Sequence, residues 1–307
     1  MRKRDDSSLT PSEYSQVRSA AERVLLDAGA IGRFPTPIDD VMAVADVEEV
    51  KEDVLNDDFI AKLRQQASGA LRTALSKVIG LFDARARLIF IDRSLHIVKQ
   101  TFVRLHETGH AILPWQRDLY AVVEDCEKSI DPALADLFDR EANVFASEVL
   151  FQLDHFTEQA EAAEFGILVP VRLSKKYGAS IYSSVRRYVT KNWRACSVVV
   201  LNPPVYAQGD GFRATFRRSC ASTSFLEIFG DIQWPDHFTP DSVIGAMIPK
   251  KARRMTGKRE ITIVDRNGDS RVCIAESFTQ THQVFILILT VDTLRHRSII
   301  LPGQQPA

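Results

Sequence analysis

SLHIVKQTFVRLHETGHAIL, residues 94–113, carries the chain's most specific chemistry, and Pro114 follows it. Phe102, Val103, Leu105, Ile112 and Leu113 recur at helical spacing, and the proline biases its predecessor away from helix, so the stretch predicts one long helix. Inside it lies His106-Glu-Thr-Gly-His110, an HExxH pattern. Only a helical turn stacks residues i and i+4 on one face, which makes the two imidazoles half of a tetrahedral zinc site. Glu107 follows the first histidine and is placed to take a proton from a water at the metal. Gly109 is a poor helix former and marks a place where another backbone needs to come close. A third histidine six residues past His110 would extend the pattern, but Gln116 stands there.

A catalytic zinc wants a third protein ligand, which must come from elsewhere in the chain. A second long helix is predicted from about Pro132 to Leu153, where Leu134, Leu137, Phe138, Phe145, Val149 and Leu150 form an apolar stripe. Glu141 falls on that stripe and is expected to be buried. A buried carboxylate is costly unless it is protonated, paired or bound to metal. Two readings are open from the residues: a third metal ligand, or an ion pair with Arg104 or Arg140. Asp139 and Glu148 are reserve ligands, further from the centre of the stripe.

Upstream, residues 1–12 read as a polar tail. Val17, Ala20, Ala21, Val24 and Leu25 then mark a helix that stops at Gly29. Phe34-Pro-Thr-Pro37 leads into a second short helix with Ile38, Val41, Met42 and Val44 on one face. Residues 46–58 read as an exposed loop or helix end, and KVIGLFDARARLIFID, residues 77–92, as two strands joined in a hairpin.

VIGLFDARARLIFIDRSLHIVKQTFVRLHETGHAIL followed by DREANVFASEVL resembles the ImmA/IrrE family of metallo-endopeptidases. The likeness extends upstream through AAERVLLDAGAIGRFPTPIDDVMAVADVEEV and downstream to LSKKYGASIYSSVRRYV, covering roughly residues 15–200. It implies a zincin-like core of helices with a small β-hairpin, a gluzincin-like Zn²⁺ site with His106, His110 and Glu141 as ligands, and Glu107 as catalytic base. It also implies a cytoplasmic protein whose substrate is a DNA-binding repressor, cleaved to switch on stress-response or mobile-element genes. The family's Leu-Leu-Met-Pro after its E-A-N-x-F-A motif is replaced here by Glu148-Val-Leu-Phe-Gln-Leu153, so the cleft wall is expected to differ there.

Residues 171–192 give two short helical patterns about Gly178. They resemble a helix-turn-helix with Arg186 and Arg187 on its second helix, against which stands a helical pair that packs behind the catalytic core. Beyond Cys196 the runs CSVVVL, GFRATFRR, SFLEIFG, REITIVD, SRVCIAES and QVFILILTV read as strands, with Asp265-Arg-Asn-Gly268 as a hairpin turn. The expected fold is therefore α+β: a metallopeptidase core over 13–194 that includes the helix-turn-helix-like segment, followed by a mostly antiparallel β domain over 195–307.

The net charge of −1 hides a division. Residues 1–170 hold 19 Lys+Arg and 30 Asp+Glu, a charge of −11, and residues 171–307 hold 20 and 10, a charge of +10. The positive half, with Lys250, Lys251, Arg253 and Arg254 clustered, suits a nucleic acid, an acidic regulator, or the acidic half of its own chain. With 45% hydrophobic and 26% charged residues, disorder and coiled coil are excluded. The longest apolar run, Val284–Val291, is far short of the roughly 20 residues that span a bilayer. Cys126, Cys196, Cys220 and Cys273 lie far apart, as expected of reduced thiols. Two function classes result: a zinc endopeptidase acting on a protein substrate, or a protein- or DNA-binding module on a peptidase scaffold with little turnover.

Overall fold

The computed structural model describes residues 7–51, 80–83, 86–117, 131–207, 209, 211–249 and 254–291. They form an α+β protein with two compact units, one of residues 1–158 and 173–180, the other of 159–172 and 181–307. The division is not a single cut in sequence, because residues 173–180 stay with the first unit while 181 onward join the second. Among the described residues no helix is long and apolar enough to cross a membrane.

In the first unit, α1 (Pro11–Asp27) begins at a capping box in which Thr10 and Glu13 satisfy each other's backbone N–H groups. Val17, Ala21, Val24 and Leu25 are its buried face. The short helix α2 (Ile38–Val44) leads to β1 (Glu48–Glu49), in a stretch read from sequence as loop. The hairpin is present as β2 (Gly80–Asp83) and β3 (Leu88–Ile91). β1 adds to it in parallel, giving the order β1-β3-β2. α3 (Ile97–Ile112) packs on this sheet and on α4 (Pro132–Leu150). Met42, Val47, Ile89, Ile91, Val103 and Ala111 form the core between sheet and helices.

After α4 the chain leaves the helix through two residues with positive φ, Gln152 (49°) and Leu153 (57°). This is where the sequence departs from Leu-Leu-Met-Pro, and Phe151, Gln152 and Leu153 are all buried. The Gln152 side chain accepts from Gly32 N at 2.8 Å and donates to Ala30 O (3.1 Å), Arg33 O (2.6 Å) and Thr36 Oγ1 (3.2 Å). It thereby holds the loop between α1 and α2. Gln152→Ala removes four contacts to buried and part-buried polar groups, so a loss on the order of 3 kcal/mol is expected. Urea unfolding checks it, and a loss below about 1 kcal/mol would mean water replaces the amide.

α5 (His155–Glu161) and α6 (Leu168–Tyr177) follow, with Gly178 before α7 (Ile181–Thr190). In the second unit α7 packs on strands β4 (Cys196–Leu201) and β6 (Gly211–Ala221), burying Val185, Arg187, Tyr188 and Val189. A recognition helix needs a free face, so this geometry speaks against the helix-turn-helix reading, and α7 belongs to the second unit rather than to a helical pair behind the peptidase core. The sheet runs β5-β6-β4-β10-β9-β8, with β7 (His237–Phe238) also on β6; β5 is Val205–Ala207, β8 Met255–Val264, β9 Ser270–Gln280 and β10 Gln283–Thr290. All pairings are antiparallel. β4 is buried at every position, which explains its unbroken apolar run. At the β8–β9 turn Asp265 Oδ1 accepts from Asn267 N and Asp269 N, and Gly268 takes φ 90°.

One expected strand is a helix. SFLEIFG lies in α8 (Thr223–Phe229), capped by Ser222, whose hydroxyl accepts from Phe225 N at 3.2 Å. Phe225 and Phe229 stack with ring centroids 4.3 Å apart, and this i, i+4 pair on the core outweighs the β propensity of the run. Cys196, Cys220 and Cys273 form no disulfide. Cys126 and residues 250–253 of the basic cluster lie outside the described residues. Lys258, beside that cluster, pairs with Glu164 at 2.6 Å.

Candidate metal centre

α3 places His106 and His110 on one face, with ring centroids 4.8 Å apart and planes at 85°. Their Nε2 atoms are 3.2 Å apart. From α4, Asp139 Oδ1 lies 4.0 Å from His106 Nε2 and 3.9 Å from His110 Nε2. One atom from each residue falls within 4.8 Å of the others. Donor atoms around a tetrahedral zinc stand about 3.3 Å apart, so the histidine pair already has that spacing and Asp139 needs a small side-chain rotation. Its side chain is 70% exposed and has room to make it.

The outer contacts fix which ring nitrogens are bare. His106 Nδ1 meets Asn143 Oδ1 at 3.1 Å, and His110 Nδ1 meets Gln116 Oε1 at 2.7 Å. An amide oxygen only accepts, so each Nδ1 carries the ring proton and each Nε2 keeps a lone pair. Two such lone pairs face each other beside a carboxylate. This donor set fits a cation.

Burial reinforces this. Desolvation and the neighbouring His110 hold the His106 pKa down to about 3, and His110 is lowered by its own burial. Both rings are therefore neutral at physiological pH and competent as ligands. Glu107 is buried beside them, and desolvation, together with the Asp139 charge, raises its carboxyl to about 8. A divalent charge in the site acts on Glu107 in the opposite direction.

These shifts set the pH dependence of the metal-free protein. The unfolded chain protonates its histidines below about 6.5, whereas folded His106 resists to about 3, so stability is lost as pH falls from 6.5. Folded Glu107 keeps its proton up to about 8 while the unfolded residue releases it near 4.5, so its contribution is lost as pH rises through that window. With His110 adding to the first trend, metal-free stability should peak near pH 6.5. Each group changes it by at most about 1.4 kcal/mol per pH unit. Denaturant titrations in a chelator between pH 5 and 8 check this, and Glu107→Gln should abolish the fall above 6.5 but not the fall below.

At Gly109 the two helices pack closely. A Cβ there would stand 3.0 Å from Phe145 Cδ1 and 3.4 Å from Ala142 Cα, both on α4. The glycine between the histidines therefore sets how near Asp139 can approach them.

The structure separates the sequence-predicted residues. His106, Glu107 and His110 come together, but Glu141 is not among the clustered ligand atoms. It is buried, as expected, yet its Oε2 accepts from Trp115 Nε1 at 2.8 Å and Gln116 Nε2 at 2.6 Å. On a helix residues 139 and 141 point about 200° apart, so one helix cannot aim both at the histidines. Asp139 and Asn143 share the face that reaches them. The ion-pair alternative fails too: Arg104 pairs with Glu49 at 2.7 Å, and Arg140 with Asp136 at 3.1 Å. Glu148, the other reserve ligand, accepts from Tyr14 at 2.7 Å and from Arg18 at 3.4 Å, which places it in the α1–α4 packing. Gln116 and Asn143 were missed. The i, i+4 spacing from Asp139 to Asn143 is a usable signal for the second, whereas nothing in the sequence ties Gln116 to His110.

Residues 64–187 match the family described as Peptidase_M78, IrrE N-terminal-like domain. Among solved structures, the chain is similar to one described as a Mycobacterium tuberculosis transcriptional regulator. The identity is 13%, over 92% of this chain and 82% of that one, with a TM-score of 0.49. No curated protein matches the chain.

Proposed function

From the premise that residues 64–187 match the IrrE N-terminal-like domain of the Peptidase_M78 family, we propose that this chain is a zinc-dependent endopeptidase. The observation that carries this is the pair of bare Nε2 atoms 3.2 Å apart, with Asp139 facing both and Glu107 buried alongside. His106, His110 and Asp139 are the ligands in this reading, with Asp139 in the place expected for Glu141. Zinc, when bound, supplies Lewis acidity that polarises a carbonyl and makes water a nucleophile near neutral pH.

The chain's own residues do the rest. Asn143 and Gln116 keep the ring protons on Nδ1 and hold the imidazoles in orientation. Glu107 takes a proton from the attacking water on its carboxylate and returns it to the leaving amine. Burial around Glu107 excludes bulk water, which would otherwise level its basicity. The substrate we infer is a cytoplasmic DNA-binding transcriptional repressor, with residues 13–194 as the catalytic core and the β-rich 195–307 as a domain that engages partners.

Metal analysis of the purified protein should find one zinc per chain. Incubation with the regulator encoded beside this gene should yield discrete fragments with Zn²⁺ and none with chelator. A protein that takes up no zinc would overturn the reading.

A further inference from the structure

We propose that the buried pair Glu141 and Gln116 is a positioning device that fixes the tautomer of His110, so that its Nε2 presents a lone pair to the metal site. The proposal rests on the metal-centre reading above and gives Glu141 a role two residues removed from the metal.

The argument turns on the two ends of one amide. Gln116 is fully buried, in a helical turn of residues 114–117 just past α3. A half-turn of its amide exchanges oxygen for NH₂ with almost no change in shape. Its surroundings do not tolerate the exchange. Nε2 faces two acceptors, Glu141 Oε2 at 2.6 Å and Phe138 O at 3.3 Å. Flipped, the amide would set oxygen against oxygen at both contacts. Trp115 Nε1 donates to the same Glu141 oxygen at 2.8 Å and holds the carboxylate in place.

With the amide fixed, Oε1 is the atom 2.7 Å from His110 Nδ1, and that nitrogen must carry the proton. A neutral imidazole has one N–H, so Nε2 is bare. The reverse orientation would offer NH₂ to Nδ1, force it to accept, and move the ring proton to Nε2. That proton would then point at His106 Nε2, 3.2 Å away, where a cation has to sit. Binding Zn²⁺ would first require the ring to lose or relocate it. Glu141 thus acts on the metal through Gln116 and His110 in series, while Asn143 acts on His106 directly from α4.

Two readouts test this. In the ¹⁵N-labelled, metal-free protein, long-range imidazole correlation spectra should show His110 protonated at Nδ1, and Glu141→Leu should convert it to a mixture of tautomers. In competition with a chromophoric chelator, Glu141→Leu should bind Zn²⁺ about 10- to 100-fold more weakly. Glu141→Gln keeps an acceptor oxygen for Gln116 and should restore both readouts close to wild type. If Glu141→Leu does not fold, Gln116→Met, which removes the oxygen facing the ring, is expected to give the same two changes. Wild-type His110 protonated at Nε2 would overturn the proposal, as would a Glu141→Leu variant unchanged in tautomer and affinity. Glu141→Gln as damaging as loss of Asp139 would overturn it too, since the charge itself would then be required. A wild-type protein with the Nδ1–H tautomer that binds no Zn²⁺ would support the tautomer assignment while sinking the metal-centre reading.

Discussion

Glu107→Gln is expected to retain zinc and fold while slowing peptide hydrolysis by about 10²- to 10⁴-fold. The amide matches the carboxylate in shape but cannot accept a proton, so the loss should fall on turnover and leave substrate binding nearly unchanged. Because Glu107 is raised to about 8 in the metal-free pocket, the substitution removes a group that is protonated there at neutral pH. The variant should therefore be no less stable than wild type without metal. Fragment yield from the protein substrate, measured at equal zinc occupancy, decides the point. Activity within tenfold of wild type would mean that some other group takes the proton.

Asp139→Ala should abolish stoichiometric zinc binding, a larger effect than the roughly 10- to 100-fold expected for an outer contact. Two histidines from one helix leave a metal with too few protein ligands, and the anchoring bond to α4 is lost. Zinc should raise the thermal midpoint of the wild type, by mass action on the folded state, and leave that of the variant unmoved. Scanning calorimetry with and without Zn²⁺ reads both. An Asp139→Ala protein that keeps full occupancy while Glu141→Gln loses it would return the third ligand to Glu141, where the sequence alone had put it.

Glu141 marks the limit of what is legible in the sequence. The HExxH helix is legible because period, breaker and motif agree, and it spans Ile97–Ile112 in the structure. The burial of Glu141 is also legible from the apolar stripe. What the stripe cannot say is which partner waits at the buried end. Trp115 and Gln116 come from a turn whose placement depends on tertiary packing, and a partly exposed Asp139 gives no hydrophobic signal at all. α8 resembles a strand in sequence because a seven-residue run rich in Phe, Leu and Ile satisfies either period, and the Ser222 cap is the local signal that favours the helix. The hairpins, by contrast, announce themselves through local turn chemistry, which needs no distant partner.

The contact between Gly109 and Phe145 makes the freedom to vary at one position depend on the size of the other. A methyl at 109 meets an aromatic edge at 3.0 Å, so Gly109→Ala alone should push α4 outward and loosen zinc binding, despite the better helix propensity of alanine. Phe145→Leu alone should open a void in the helix interface. Made together, the added carbon occupies part of the space the ring gave up, and the double variant should bind zinc better than Gly109→Ala. A coupling free energy of about 0.5–3 kcal/mol is the expected signature. The acceptable residue between the two histidines is then a property of the facing helix, and a lineage can change either position only along a path that passes through the other.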